Sequence, residues 1–447
     1  MQNLTAARLA TLSFVGLIAA GTAGFLLLPV LESGSRLSFV DALFLSTSAV
    51  CVTGLSVVDV SRELTGVGQA WLLILVQLGG LGILTLAGWI ASAMGTRLGL
   101  EAHEAAQGPG FVLPPRSAAR LLRTTVAFTF TLEAFGAGVL WLLWRDDFGA
   151  LRAIWIALFH AVSAFCNAGF SLFTDSFVGL RDEPPIVLAI GGLVVLGGLG
   201  FPVVQDLRSR VRGQHARLTL HSRLVLASTA VLLLGSTMLY LAFEWRHALV
   251  GLSFVDRIVN AFFMAATART AGFNTVDYDA ISNASLFLTI GLMWIGGAPA
   301  SVAGGVKITT VALLLCLLLS RLRGEENVSI GDRTVPKDTV QRATGLAAGA
   351  LLLVGLFVFA LMVAEIESTR WADRTELVRI VFEVQSAFST VGLSMNRTPS
   401  LSEPGRLVLV PVMLLGRIGP LIVLSAMALR DRNRIPYRFA HEDVLVG

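Results

Sequence analysis

Residues 262–274 read Phe262-Phe263-Met264-Ala265-Ala266-Thr267-Ala268-Arg269-Thr270-Ala271-Gly272-Phe273-Asn274, and the same frame occurs three more times in the chain. A phenylalanine stands ten residues before a glycine at Phe44/Gly54, Phe159/Gly169, Phe262/Gly272 and Phe382/Gly392. A small residue stands six before the glycine (Ser48, Ser163, Ala266, Ser386), a bulky apolar one follows it (Leu55, Phe170, Phe273, Leu393), and a small polar one comes next (Ser56, Ser171, Asn274, Ser394). One glycine motif carries little information, whereas four in register define an internal repeat.

Working outward, each frame lies on an amphipathic stretch, at 40–51, 151–166, 254–267 and 374–388, too short to cross a bilayer. Around these lie eight long apolar segments near 9–30, 68–92, 119–144, 184–206, 223–245, 283–320, 343–366 and 404–429. A crossing needs about 20 apolar residues, so most of these segments qualify by length. The order is span, re-entrant segment, span, four times over. In each second span a further related stretch appears: Gly79-Gly80-Leu81-Gly82, Gly197-Gly198-Leu199-Gly200, Gly296-Gly297-Ala298-Pro299 and Gly416-Arg417-Ile418-Gly419.

Composition agrees. Of 447 residues 55% are hydrophobic and 14% charged, where a soluble chain carries roughly 25% charged residues, and the mean hydropathy is +0.75. This excludes a soluble enzyme, a disordered chain and a secreted disulfide scaffold. The expected fold class is an all-α polytopic membrane protein, with four tandem span–pore-segment–span repeats (eight transmembrane helices) around one central pore, pseudo-fourfold. The repeats run 8–92, 119–206, 223–320 (with a broken second span) and 343–429, and 430–447 forms a cytoplasmic tail.

The net charge of +4 reflects topology and not nucleic-acid binding. With the N-terminus inside, 19 of the 34 basic residues fall on inner segments, leaving that face at +9 and the outer face at −7. An acidic outer face concentrates cations near an entrance. Both termini are therefore expected in the cytoplasm. Three apolar cysteines and six scattered histidines offer neither a disulfide framework nor a zinc site. No catalytic triad or phosphate loop is present, so the chain reads as no enzyme.

Non-helical backbone at membrane depth is tolerated where protein buries it or it lines a watery cavity. The four tripeptides Val52-Thr53-Gly54, Asn167-Ala168-Gly169, Thr270-Ala271-Gly272 and Thr390-Val391-Gly392 have unlike side chains. What they can share is carbonyl geometry, the means by which a cation's hydration shell is replaced. No carboxylate is common to them, which argues against a carboxylate ring for divalent ions.

The sixth span, 38 residues long, is interrupted by Gly296-Gly297-Ala298-Pro299-Ala300-Ser301-Val302-Ala303-Gly304-Gly305-Val306-Lys307. Gly and Pro here break the helix mid-membrane, where broken helices mark sites and gates. Arg417 replaces the second glycine of its motif inside an apolar run, so it must face protein or water. Glu133, within the third span, is expected to pair with a pore-segment group.

These residues together resemble the Ktr/Trk/HKT superfamily of potassium transporters. The run Thr267–Thr275 is the most specific match, and eight spans with the ending Glu442-Asp443-Val444-Leu445-Val446-Gly447 look most like a KtrB-type membrane subunit. The resemblance implies potassium uptake across a bacterial cytoplasmic membrane, with potassium held at the twelve residues of the four tripeptides and sodium as a second ion. A glycine in all four implies potassium preference. It further implies a gate formed by Ala298, Pro299, Ala300, Ser301, Val302, Ala303, Gly304, Gly305 and Lys307, with Arg417 below the filter, and Arg269 bracing the filter backbone. The implied assembly is a homodimer on a cytosolic, nucleotide-binding KtrA-type ring, with sodium stimulating transport. No cofactor is expected on the chain, and nucleotide only on that partner. The rival readings are a sodium or non-selective monovalent cation transporter of the same fold, and an alternating-access solute carrier. The carrier would need paired inverted repeats with two broken helices, whereas the sequence offers four repeats of one orientation and one clearly broken span.

Overall fold

The computed structural model describes residues 6–33, 36–81, 115–213, 217–331, 333–366 and 375–419. The ends of the expected second and eighth spans (82–92, 420–429) and the tail 430–447 lie outside the described residues. Those described are overwhelmingly helical, apart from a two-residue hairpin pairing Ser329–Ile330 with Arg333–Thr334 in the basic loop before the seventh span, which the sequence reading did not anticipate.

The four re-entrant stretches are helices at Phe39–Val50, Ala150–Phe165, Phe254–Thr267 and Thr375–Ser389, within about a residue of their expected limits. Two have well-defined starts. The hydroxyls of Ser38 and Ser253 accept the N–H groups of Asp41 (3.1 Å) and Asp256 (3.3 Å), placing an acidic residue in the positive first turn. Their inward faces are closely buried, with Phe44, Phe159, Phe263 and Phe382 among the largest wholly enclosed side chains. In the third helix Phe263 takes this place, and the aligned Phe262 is only half-buried.

Long helices surround them. Among the described residues Arg123–Phe148, Leu220–Glu244 and Lys337–Ala364 are long and apolar enough to cross a membrane. They present large apolar side chains outward, including Phe135 at 70%, Phe287 (on the neighbouring helix Asn283–Met293) at 81% and Leu352 at 75% exposure. Side chains this greasy and this exposed on every long helix suit a lipid solvent.

The sixth span separates into Asn283–Met293 and Ile308–Leu322, as its glycines and proline require. The fourth also breaks, which corrects the expectation of one broken span: Pro184–Gly198 and Phe201–Val211 meet at 96°. Gly200 sits at φ +81° and Pro202 starts the next helix, so the chain turns sharply where the sequence suggested a continuous rod.

Paired spans are tied at one end by buried carboxylates. Glu244 accepts the N–H (3.0 Å) and hydroxyl (2.6 Å) of Ser282, which itself caps the helix Asn283–Met293. Glu365 does the same for Ser402 (2.9 and 2.6 Å), the cap of Glu403–Ile418. The units defined by sequence are also joined to one another. Trp155 donates to Gln69 (2.9 Å), Asn260 to the Arg181 carbonyl (2.6 Å), Arg379 to both oxygens of Asp279 (2.8 and 2.9 Å), and Arg406 pairs with Asp41. The last bond links the fourth unit back to the first.

Candidate functional site: a ring of carbonyls and the loop beneath it

Each short helix ends in the same local path. Val52, Asn167, Thr270 and Thr390 have φ of 56°, 57°, 84° and 49°, and Gly54, Gly169, Gly272 and Gly392 have φ of 91°, 71°, 80° and 90°. The residue between them is not among those with positive φ. Left-handed backbone costs a side-chain-bearing residue about 1–2 kcal/mol, and for β-branched Val52, Thr270 and Thr390 it is an outlier that must be held by its surroundings.

The four tripeptides meet. A methyl group on Gly54 would strike the carbonyl oxygen of Ala168, on Gly169 that of Ala271 (2.8 Å), on Gly272 that of Val391 (2.7 Å), and on Gly392 that of Thr53. Each glycine thus faces the carbonyl preceding the next glycine, in chain order, and the fourth closes on the first. Eight of the twelve residues proposed from sequence make these contacts, and Val52, Asn167, Thr270 and Thr390 precede them with positive φ.

Hydroxyls fix the ring to the helices. The N–H of Gly54 donates to Ser48 Oγ and that of Gly392 to Ser386 Oγ, both at 3.1 Å, while Ser163 Oγ donates to the Phe170 carbonyl at 2.8 Å. The third segment has Ala266 at the aligned position, and Thr267, one residue later, supplies the missing hydroxyl to the Phe273 carbonyl at 2.6 Å. That substitution of roles escaped the sequence reading, although the Ala-Thr pair was its signal. Arg269, expected to brace this backbone, is buried with its Nε unpartnered among the described residues.

The second glycine stretch now has a physical role that sequence did not supply. Side chains at Gly79, Gly197 and Gly416 would collide with the carbonyls of Val50, Phe165 and Phe388, the final turns of three short helices. These glycines let each second span press against the C-terminal end of its own short helix. In the remaining copy Gly296 faces the Gly304 carbonyl, inside the interrupted segment.

That segment, 294–307, is folded back at its base. Gly296 N–H donates to the Val306 carbonyl (2.8 Å) and Ile308 N–H to that of Gly297 (3.1 Å). It is stitched to the break in the fourth span by Ala298 N–H to the Gly198 carbonyl (3.0 Å) and Phe201 N–H to that of Ala300 (3.2 Å). Ala300 and Gly305 have φ of 56° and 67°. Gly304 lies against Thr390 of the fourth tripeptide, and Gly305 against Ser389. Lys307 Nζ donates to the Ala303 carbonyl at 2.5 Å. Arg417, 9% exposed, donates from one nitrogen to the Val302 carbonyl and from another to the Gly79 carbonyl at 2.6 Å. The residues expected from sequence to form a gate therefore lie together, with Gly304 and Gly305 against Thr390 and Ser389. Glu133 is buried beside Cys166, whose Sγ is 3.6 Å from Oε1, and Gln77 lies 3.8 Å from the same sulfur.

Among the described residues no group of three or more potential metal-ligating side chains occurs.

A family model described as TrkH, cation transport protein, matches residues 13–433. The potassium/sodium uptake protein NtpJ of Enterococcus hirae is 35% identical over 98% of this chain and 98% of its own length. The Ktr system potassium uptake protein B of Vibrio alginolyticus is 36% identical over 98% of the chain and 94% of its own. In fold the chain is similar to the crystal structure of the potassium transporter TrkH from Vibrio parahaemolyticus, with a TM-score of 0.74 over 94% of this chain and 84% of that one, at 21% identity. Sequence, spans and fold agree: the chain is a membrane protein belonging to the TrkH family of cation transport proteins.

Proposed function

We propose that the chain is the ion-translocating subunit of a Ktr-type potassium uptake system, selecting its ion with the four glycine-containing segments. In this reading eight spans in four repeats surround one pore with pseudo-fourfold symmetry. The ring in which each glycine faces its neighbour's carbonyl is the observation that carries it. Rings of carbonyl oxygens replace the water around a dehydrating cation. The C-terminal, negative ends of three short helices, packed against Gly79, Gly197 and Gly416, add favourable potential below the ring.

The segment 298–305, with Lys307 and Arg417, is the gate. It lies against Thr390 and Ser389, and its obstruction is relieved by movement at its glycines. The second break, at Gly200, belongs to the same device, because it hydrogen-bonds to that segment. It does not revive the solute-carrier reading, since the four tripeptides close in one rotational sense and inverted repeats would not.

The names of the Vibrio alginolyticus relative and of the Bacillus subtilis one, 34% identical over 92% of this chain, refer to a Ktr system. They support a chain that works within such a system, and our reading adds a homodimer in the cytoplasmic membrane, with both termini inside and its basic inner face on a nucleotide-binding regulatory ring. A mixed potassium and sodium transporter is the second reading, favoured by the name of the Enterococcus hirae relative. Expression in a bacterium lacking its potassium uptake systems, with and without a KtrA-type subunit, tests the proposal. Growth at low potassium supports it, and no growth from correctly inserted protein contradicts it.

A further inference from the structure

The ring has four similar segments, but its outer attachments are of two kinds. In the first and third segments the side chain of the polar residue two places after the glycine bonds within its own segment, while the Asn274 backbone donates to Ser176 Oγ (3.2 Å) and accepts the Phe177 N–H (2.9 Å). Ser56 Oγ donates to the Val58 carbonyl at 2.6 Å, and Asn274 Nδ2 to the Val276 carbonyl at 3.1 Å. In the second and fourth segments the equivalent serine reaches back to the short helix. Ser171 Oγ lies 3.0 Å from His160 Nε2, which also accepts the Leu172 N–H at 3.2 Å. Ser394 Oγ donates to Glu383 Oε1, and Thr398 Oγ1 donates to Oε2 at 2.9 Å.

His160 and Glu383 occupy the same place, one residue after the aligned Phe159 and Phe382, and both are fully buried. The first and third helices carry Leu45 and Phe263 there, which have no polar atom to offer. His160 Nδ1 lies 2.8 Å from the Ile156 carbonyl, so the proton sits on Nδ1 and Nε2 is left to accept. Glu383 accepts on both oxygens. Two chemically different side chains therefore make one tie, on segments that stand opposite each other in the closed order of the ring.

We propose that His160 and Glu383 are positioning residues for ion selection, tying the outer ends of the second and fourth filter segments to their own short helices so that the ring keeps its width, where the equivalent side chains of the first and third segments make no such tie. This rests on the filter reading above. Discrimination between potassium and a smaller ion fails if the oxygens can close in on the smaller one, so the braced pair carries the discrimination.

The test is rubidium-86 uptake into vesicles containing the purified full chain, competed by potassium or sodium, for Ser56→Ala, Ser171→Ala, Asn274→Ala, Ser394→Ala, His160→Leu and Glu383→Gln. The Ser171, Ser394, His160 and Glu383 variants are expected to lower the potassium-to-sodium preference about fivefold, roughly what one net hydrogen bond supplies. The Ser56 and Asn274 variants should change it less than about twofold on the same scale. The double variant His160→Leu/Ser171→Ala should lose no more than either single one, because both remove one tie. The serine variants delete a single hydroxyl and remain informative if His160→Leu or Glu383→Gln does not fold. Equal losses in all four segments, or a lower uptake rate at unchanged preference in the second and fourth, overturn the proposal. Gly392→Ser in the same assay separates the two levels. If it alters preference and the tie variants do not, the tie fails while the filter stands; if it too leaves preference unchanged, both fail.

Discussion

Arg417 donates to the carbonyl of Gly79 at 2.6 Å, joining two residues 338 positions apart in sequence. Both belong to the repeated glycine stretch of a second span, Arg417 as the odd member of its own copy. Its other end holds the Val302 carbonyl of the interrupted segment. One side chain thus connects the first, third and fourth sequence units below the ring.

Removing it should free the segment. Arg417→Ala is expected to raise basal uptake about tenfold, the equivalent of one charge-assisted hydrogen bond at the low end of its range. Uptake into vesicles without any partner subunit measures this. Unchanged or reduced flux in a folded variant would assign Arg417 to packing alone.

The glycines that meet helix-end carbonyls should be intolerant of one carbon. Gly416→Ala and Gly79→Ala would each drive a methyl into a carbonyl, of Phe388 and Val50, and overpacking of this kind costs about 1–3 kcal/mol. Gly291 has open space around its missing side chain, so Gly291→Ala should be neutral or stabilise its helix by about 0.5–1 kcal/mol. Thermal midpoints in detergent distinguish the two classes, and similar midpoints for all three would contradict the assigned packing.

Sidedness is checked by labelling. Single cysteines at Arg212 and Arg333 should react only from the cytoplasm, and one at Asp175 only from outside, because basic residues concentrate on the retained side. Outside labelling at 212 would break the four-repeat arrangement.

An acid-sensitive contact lies in the loop between the first ring segment and the helix Gly66–Gly80. Burial opposes ionisation of Asp59, but bonds from the Ser61 hydroxyl (2.6 Å) and N–H (2.9 Å), with Thr174 and Arg62 nearby, hold its carboxyl below the usual range. A depressed carboxylate stabilises the fold above its unfolded value, and that contribution is lost as pH falls through the folded one. Asp59→Asn should therefore lower stability at neutral pH and narrow its gap to the parent in strong acid, read from midpoints across pH; a gap constant with pH would reject the contact.

The limits of the short helices were legible because each is a short amphipathic run ending a few residues before an aligned glycine, such as Gly54. The ring was legible because four glycines share one register. What covers a given face was not, since periodicity reports that a face is buried and not by which element. Hence Gly79, Gly197 and Gly416 stood out without a role, and Glu133 had no named neighbour. The turn at Gly200 was hidden inside a stretch apolar enough to read as one helix. The hydroxyl moved from position 266 to Thr267 because a bond to the carbonyl at 273 can be reached from either residue, which a strict alignment does not allow for.

The most direct test of the carbonyl ring is potassium and sodium competition against rubidium-86 uptake by the purified chain carrying Gly54→Ser. A side chain there meets the Ala168 carbonyl and displaces it. The account predicts folded protein whose preference for potassium over sodium drops by about tenfold, or roughly 1.4 kcal/mol of discrimination. An unchanged preference in that variant would mean that selection occurs elsewhere in the molecule.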